Sequence, residues 1–243
     1  MQGVRCNPLN PHAWASLAEF VRLGEIVTLN GKRFSKEQCY AEGLRLRPNF
    51  PHAWNNLGAN CGDRMMVNGK LYTRQQCFLE ALRCDPRLAE TWSSLGATMT
   101  GSQTVSVGGK DYSKQQCFLE SVKRNPKIFI GWYFLGESLA AGEGAAVFDV
   151  KVSKLECYLQ ALRCNSNVSI VWNSTGATLT GQQTVSINDT EYSKQQCFLE
   201  ALSCDPTSRS AWTNLAESMT RGQVVTVNGK QYDKKQCYAA GKA

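Results

Sequence analysis

Eleven cysteines and two histidines hold most of the nucleophilic and metal-binding potential of this 243-residue chain. A zinc site needs thiolates or imidazoles converging within a few ångströms, and its sequence signature is a close pair such as CxxC. No CxxC occurs. Cys77/Cys84, Cys157/Cys164 and Cys197/Cys204 are each seven residues apart, about 10 Å along a helix axis and out of disulfide reach. The odd total also argues against a closed disulfide framework. A Cys–His nucleophile would need His12 or His52 beside one particular thiol, and neither histidine is placed to single one out. The VGGK at 107–110 recurs elsewhere as NGK, a turn motif rather than a phosphate-binding loop. No catalytic, cofactor-binding or metal site is therefore expected, and the sequence points away from an enzyme.

Two stripes of cations are the next candidates. Lys36, Arg74, Lys114, Lys154, Lys194 and Lys234 follow the capping residue of predicted helices, and Lys32, Lys70, Lys110 and Lys230 fall in predicted turns. A cation at a helix N-terminus opposes the helix dipole, so the first stripe is not expected to serve helix stability. A row of cations could receive an acidic partner, or form a solvated edge interleaved with acids such as Asp111 and Glu191. The net charge of +7 is modest and unclustered, which disfavours nucleic acid as a partner.

The elements that must carry these residues repeat. Tryptophans stand at Trp14, Trp54, Trp92, Trp132, Trp172 and Trp212, and cysteines at Cys39, Cys77, Cys117, Cys157, Cys197 and Cys237, with intervals of 38 or 40 residues. One period thus accounts for all six tryptophans and six of the cysteines, which makes both ladders scaffold. Trp92, Leu95, Gly96 and Met99 share a helical face, and Gly101, Gly181 and Gly222 are expected to end that first helix. Alternating stretches at 27–34, 65–72, 105–112, 185–192 and 225–232 centre on Asn-Gly, Gly-Gly or Asn-Asp, the signature of a two-residue β-hairpin. Repeat four has AAVFDVKV instead, which predicts a distorted hairpin. Ser35/Gln38, Thr73/Gln76, Ser113/Gln116, Ser153/Glu156 and Ser193/Gln196 have capping-box spacing, so a second helix starts there. It stops before Pro48, Pro86, Pro126 and Pro206, because proline cannot continue a helix interior. Repeat five has Ser166 at that place.

The unit resembles a tetratricopeptide repeat (TPR). Trp54-Leu57-Gly58, Trp92-Leu95-Gly96 and Trp132-Leu135-Gly136 match that family's W-x2-L-G opening, and Phe78-Ala81-Pro86 and Phe198-Ala201-Pro206 its close. The unit exceeds the family's by six residues, and the excess coincides with the hairpin. The resemblance implies a mainly α, right-handed TPR-like α-solenoid of helix–β-hairpin–helix repeats. The array runs over 1–243: the tail of a second helix at 1–7, then repeats at about 8–47, 48–85, 86–125, 126–165, 166–205 and 206–243, the last incomplete. Because both ends fall within a unit, a longer array is expected, with open ends able to stack end to end between molecules.

The resemblance also implies a non-catalytic scaffold that binds a protein or peptide on the concave face of its first helices. Candidate contacts are Asn55, Asn56, Ser93, Tyr133, Glu137, Asn173, Thr213, Asn214 and Glu217. Their amides and hydroxyls can both donate to and accept from a peptide backbone. The alternatives are a self-assembling structural array and an accessory domain of a larger enzyme. Phe129, Ile130, Tyr133 and Phe134 of repeat four cannot all face the core; they are expected either to form an exposed cluster that marks an interface or to pack against the altered hairpin. Neither a transmembrane run nor a signal-peptide core is present, so a cytoplasmic protein with no membrane partner is expected.

Overall fold

A computed structural model describes residues 2–242. Met1, part of the predicted helix tail, and Ala243 lie outside the described residues. The described chain is mainly helical. A short helix, α1 (Gln2–Cys6), precedes repeat one, formed by α2 (Pro11–Phe20), β1 (Ile26–Leu29), β2 (Lys32–Ser35) and α3 (Lys36–Leu46). Repeat two comprises α4 (Pro51–Asn60), β3 (Arg64–Val67), β4 (Lys70–Thr73) and α5 (Arg74–Cys84). Repeat three comprises α6 (Ala89–Ala97), β5 (Thr104–Val107), β6 (Lys110–Ser113) and α7 (Lys114–Arg124). Repeat four comprises α8 (Phe129–Ser138), β7 (Gly144–Val147), β8 (Val150–Ser153) and α9 (Lys154–Cys164). Repeat five comprises α10 (Ser169–Thr178), β9 (Thr184–Ile187), β10 (Thr190–Ser193) and α11 (Lys194–Cys204). Repeat six comprises α12 (Arg209–Ser218), β11 (Val224–Val227), β12 (Lys230–Asp233) and α13 (Lys234–Ala240). The contacts between residues divide these into two compact units, one ending at Arg124 and one beginning at Asn125.

Each second helix starts where a side chain can satisfy the free N–H groups of its first turn. Gln196 N donates to Ser193 Oγ at 3.4 Å, and Ser193 N donates to Gln196 Oε1 at 2.8 Å. The same reciprocal box closes at Ser35/Gln38, Thr73/Gln76, Ser113/Gln116 and Ser153/Glu156. Asp233/Gln236 forms it too, with a carboxylate in place of the hydroxyl. These bonds remove orphan donors that would otherwise destabilise a helix of this length.

The first helices end earlier than the glycines suggest. α6, α10 and α12 stop at Ala97, Thr178 and Ser218, while Gly101, Gly181 and Gly222 form a separate left-handed turn at φ 55°, 56° and 80°. The residue that interrupts the helix in repeats four, five and six is extended and apolar: Leu139, Leu179 or Met219. Each is at most 3% exposed. Burying that side chain, rather than a glycine cap, stops the helix.

All six hairpins pair in one register around a two-residue turn, as in Val105↔Tyr112 and Val107↔Lys110. Both turn residues are left-handed, for example Asn68 at 51° and Gly69 at 76°, which matches the twist of the strands. The hairpin of repeat four is not distorted. Ala145 pairs with Val152 and Val147 with Val150, and Phe148 and Asp149 take up φ 48° and 63°. Ala145 and Val147 are buried there, so core packing imposes the register and the turn residues comply with it.

The hairpins fold back on the core. In repeat three the Tyr112 ring sits 4.7 Å from the Trp92 ring at 58°, a tilted aromatic pair. Phe34, Tyr72, Tyr192 and Tyr232 pack likewise on Trp14, Trp54, Trp172 and Trp212. Each indole then donates to the carbonyl six residues upstream, as from Trp92 Nε1 to Pro86 O at 2.8 Å. Ser166 serves Trp172 at 2.7 Å. A carbonyl suffices for this bond, which is why repeat five does without its proline. Hairpins also bridge repeats: β3 packs on α3, β5 on α5, β9 on α9 and β11 on α11. Asn68 Nδ2 donates to Leu44 O at 3.5 Å and Asn228 Nδ2 to Leu202 O at 3.4 Å.

The two helices of a repeat meet at the glycine of the opening motif. A Cβ added at Gly96 would lie 2.7 Å from Phe118 Cε1. The aromatic ring therefore rests against bare backbone, and a side chain would push the helices apart.

Candidate functional site

The surface of the first helices is arranged in layers. The residue directly after each tryptophan turns towards the neighbouring helices. Ser93 is 2% exposed and Tyr133 is 7% exposed, whereas Asn55, Asn173 and Thr213 are half-buried. The next residue is half-buried in repeats two to six, including Asn56 and Asn214. Five residues after the tryptophan the side chains are exposed: Glu19, Ala59, Ala97, Glu137, Ala177 and Glu217.

Several of the expected contact residues are occupied with each other. Ser93 Oγ lies 2.6 Å from Ser121 Oγ inside repeat three, and Ser121 is 0% exposed. The two hydroxyls satisfy one another there, as buried polar groups must. Asn55 Oδ1 accepts from Thr91 Oγ1 of the next repeat at 2.9 Å, and Asn55 Nδ2 donates to Asn56 Oδ1 at 3.2 Å. In the second unit Asn214 Nδ2 donates to Asn173 Oδ1 at 2.9 Å, and Asn173 Nδ2 donates to Ser210 Oγ at 3.4 Å. Thr213 Oγ1 bonds back to Arg209 O of its own helix. The structure thus joins these asparagines into short ladders between consecutive first helices. The sequence carried a signal for the serine pair, because repeat three alone has Ser at both of its positions.

Tyr133 packs on Phe134 and Tyr158, with ring centroids 5.2 and 6.1 Å away. Burial first, and then the Glu137 carboxylate, push its phenol up. Glu137 accepts from the Tyr158 hydroxyl. None of Phe129, Ile130, Tyr133 and Phe134 is exposed, so of the two expected arrangements the open cluster does not form. The exposed aromatic of repeat four is Phe148 at the hairpin tip, 55% exposed.

The first cation stripe has a use that its position in sequence hides. Lys234 Nζ donates to Met219 O at 2.8 Å, Lys36 Nζ to Val21 O at 3.1 Å and Lys194 Nζ to Leu179 O at 3.2 Å. Arg74 and Lys154 reach Cys61 O and Leu139 O in the same way. Each cation begins one helix but serves the C-terminal end of the helix before it, where positive charge is favourable. In the second stripe, Lys70 and Lys110 lie over the Tyr72 and Tyr112 rings, 4.9 and 5.2 Å from the centroids.

The cysteine ladder is inert. Burial pushes the Cys39 thiol up to about 11 and those of Cys77, Cys117, Cys157 and Cys197 up to about 12, so no nucleophilic thiolate forms near neutrality. His12 faces Arg47 Nη1 at 2.9 Å and the Phe50 ring at 4.8 Å rather than a thiol. Among the described residues no group of three His, Cys, Asp or Glu could hold a metal ion, and no helix is long and apolar enough to cross a membrane.

Open clefts lie where the exposed layer of one first helix meets the start of a second helix and the next repeat. One, of about 710 Å³, is bordered by Ala59, Arg74, Gln75, Phe78, Ser94 and Ala97. Another, of about 600 Å³, is bordered by Ala177, Lys194, Gln195, Phe198, Asn214 and Glu217. Amides tie the repeats together beside them: Gln103 Nε2 donates to Gln75 Oε1 at 3.2 Å, and Gln223 Nε2 to Gln195 Oε1 at 2.8 Å. These glutamines were not among the residues expected from sequence. Their signal is positional, since Gln75 and Gln195 follow the stripe cation while Gln103 and Gln223 precede the first strand.

No family model matches the chain, and no curated protein matches it in sequence.

Proposed function

We propose that this chain is a TPR-like, right-handed solenoid scaffold, cytoplasmic and non-catalytic, that binds an extended peptide segment of a protein partner along its first helices. The observation that carries this reading is the pair of open clefts beside the first helices. They border on amides, hydroxyls and short apolar side chains, a mixture suited to peptide backbone and small side chains together. Repeat scaffolds present such surfaces because each unit contacts only its neighbours and leaves one face free. Asn55, Asn56, Asn173 and Asn214 serve in this reading as two short ladders, each holding together the first helices beside one cleft. Glu137 and Glu217 lie in the exposed layer that meets the partner.

The test is retention of a phage-displayed random peptide library on the immobilised protein. Ala97→Arg with Ser218→Arg places bulky side chains at the rim of both clefts without entering the core. Loss of the peptides that the unaltered protein enriches is expected. If the blocked protein enriches the same peptides, the groove is not the binding surface.

A second reading is favoured by one observation: repeat one exposes Leu9, Phe20 and Leu23, each at least 72%, and apolar side chains left open to water mark contact surfaces. Self-association through this repeat predicts a scattering mass that rises with concentration. A constant monomer mass would eliminate it.

A further inference from the structure

The six repeats differ from one another at two coupled positions. The aromatic of the second helix is tyrosine in repeats one, four and six (Tyr40, Tyr158, Tyr238) and phenylalanine in the others (Phe78, Phe118, Phe198). The residue five after the tryptophan is glutamate in the first set (Glu19, Glu137, Glu217) and alanine in the second (Ala59, Ala97, Ala177). Hydroxyl and carboxylate are present together or absent together in all six.

Repeat four shows what couples them. The Tyr158 hydroxyl donates to Glu137 Oε1, and Tyr158 is 1% exposed. In repeat one, burial and then the Glu19 charge push the Tyr40 phenol up to about 12, while its side-chain hydrogen bond is with Asn56. A buried phenol needs a partner, and in repeat four the exposed glutamate supplies it. Phenylalanine needs none, so alanine suffices beside it.

The exchange changes the surface as well as the bonding. A glutamate five residues after the tryptophan extends over the edge of the aromatic ring, whereas an alanine ends at its methyl group. The two clefts described above lie at the Phe–Ala repeats two and five, with Ala59 and Phe78 at one and Ala177 and Phe198 at the other. Each cleft borders one cation and one carboxylate, Arg74 with Asp63 and Lys194 with Glu217. Each of those cations also donates to a backbone carbonyl. A charged group entering either cleft would meet no net opposite charge. An alkyl side chain would meet the exposed methyl group of Ala59 or Ala177, while the flanking amides Gln75 and Gln195 serve its backbone.

We propose that repeats two and five are receptor positions and repeats one and four are self-occupied: each open cleft takes one short aliphatic side chain of an extended peptide, in the place that Glu137 fills in repeat four. This rests on the peptide-binding reading and adds to it which repeats bind and what they accept.

The experiment exchanges the pairs. Ala59→Glu/Phe78→Tyr combined with Ala177→Glu/Phe198→Tyr copies into repeats two and five a pair that repeats one and four already hold. Glu137→Ala/Tyr158→Phe does the reverse and opens repeat four. Circular dichroism and tryptophan fluorescence check that both proteins fold. The probe is the same phage-displayed random peptide library, at low and at high salt. The expected result is enrichment of peptides with a short aliphatic residue by the unaltered protein, nearly independent of salt. The filled variant retains them about tenfold less, one decade of affinity, and the opened variant retains them at least as well as the unaltered protein. Equal retention by the filled variant, or a charged consensus that salt abolishes, overturns this inference and leaves the peptide-binding reading standing. No enrichment by the unaltered protein overturns both. Should the filled variant misfold, the opened variant decides alone, and weaker retention by it overturns the inference.

Discussion

Replacing Phe148-Asp149 by Asn-Gly is expected to stabilise the protein, although it removes a large apolar side chain. Both residues hold left-handed backbone, at φ 48° and 63°. That conformation costs about 1–2 kcal/mol for an ordinary L-residue and less for Asn or Asp, while Gly adopts it freely. Relief at Phe148 and Asp149 together is then about 2 kcal/mol on the same scale. Two effects oppose it. Phe148 is 55% exposed, so it loses under half of a side-chain burial worth about 1.5–3 kcal/mol when complete, or roughly 1 kcal/mol. The added glycine gives the unfolded chain about 0.5 kcal/mol more entropy. The net gain is about 0.5 kcal/mol, and it grows if Phe148 makes poor contacts where it is half-buried. Urea unfolding followed by tryptophan fluorescence reads the shift, with native-state hydrogen exchange at Val147 and Val150 reporting the hairpin itself. The converse change in repeat two, Asn68→Phe/Gly69→Asp, should lower the midpoint. If the repeat-four change destabilises while the repeat-two change is neutral, the backbone is not where the strain resides.

Three further outcomes are expected. Gly96→Ala places a Cβ 2.7 Å from Phe118 Cε1; overpacking of about 1–3 kcal/mol outweighs a helix-propensity gain of about 1 kcal/mol, and an unchanged urea midpoint would show that the helices separate freely. The ladder thiols are pushed up to about 11 or 12 from 9.0. A raised folded value keeps its full stabilisation below pH 9 and loses it as pH climbs towards 12, so the midpoint should hold to pH 9 and then fall, and a Cys117→Ala/Cys157→Ala protein should fall less steeply. Lys194→Met removes the donor to Leu179 O and should cost about 0.5–1 kcal/mol at low salt; an equal loss from Lys230→Met would show that the charge matters only in bulk.

The repeat was legible because its signals are local. A capping box needs three residues and an Asn-Gly turn needs two, so Ser193/Gln196 and Asn68-Gly69 declare themselves without reference to the rest of the chain. The site was less legible because its residues act across repeats. Asn55 looked like a free amide until Thr91 of the next repeat was seen bonded to it. Ser93 looked like a groove residue, and Ser121 encloses it. The glutamine bridges join positions 28 residues apart, and no local pattern marks such a pair.

Sequence alone determined the period, the starts of the second helices and the hairpin positions, since each depends on backbone groups satisfied within a few residues. Tertiary structure alone decided what the cations and the turn of repeat four do. Lys194 opens one helix and, by Coulomb attraction through space, serves the end of another. Phe148 and Asp149 enter a conformation their own preferences oppose, because burying Ala145 and Val147 is worth more than the strain at the tip. The exposed layer follows the same logic: the Tyr–Glu and Phe–Ala pairs were visible as letters, and only packing showed that the Tyr158 hydroxyl donates to the Glu137 carboxylate.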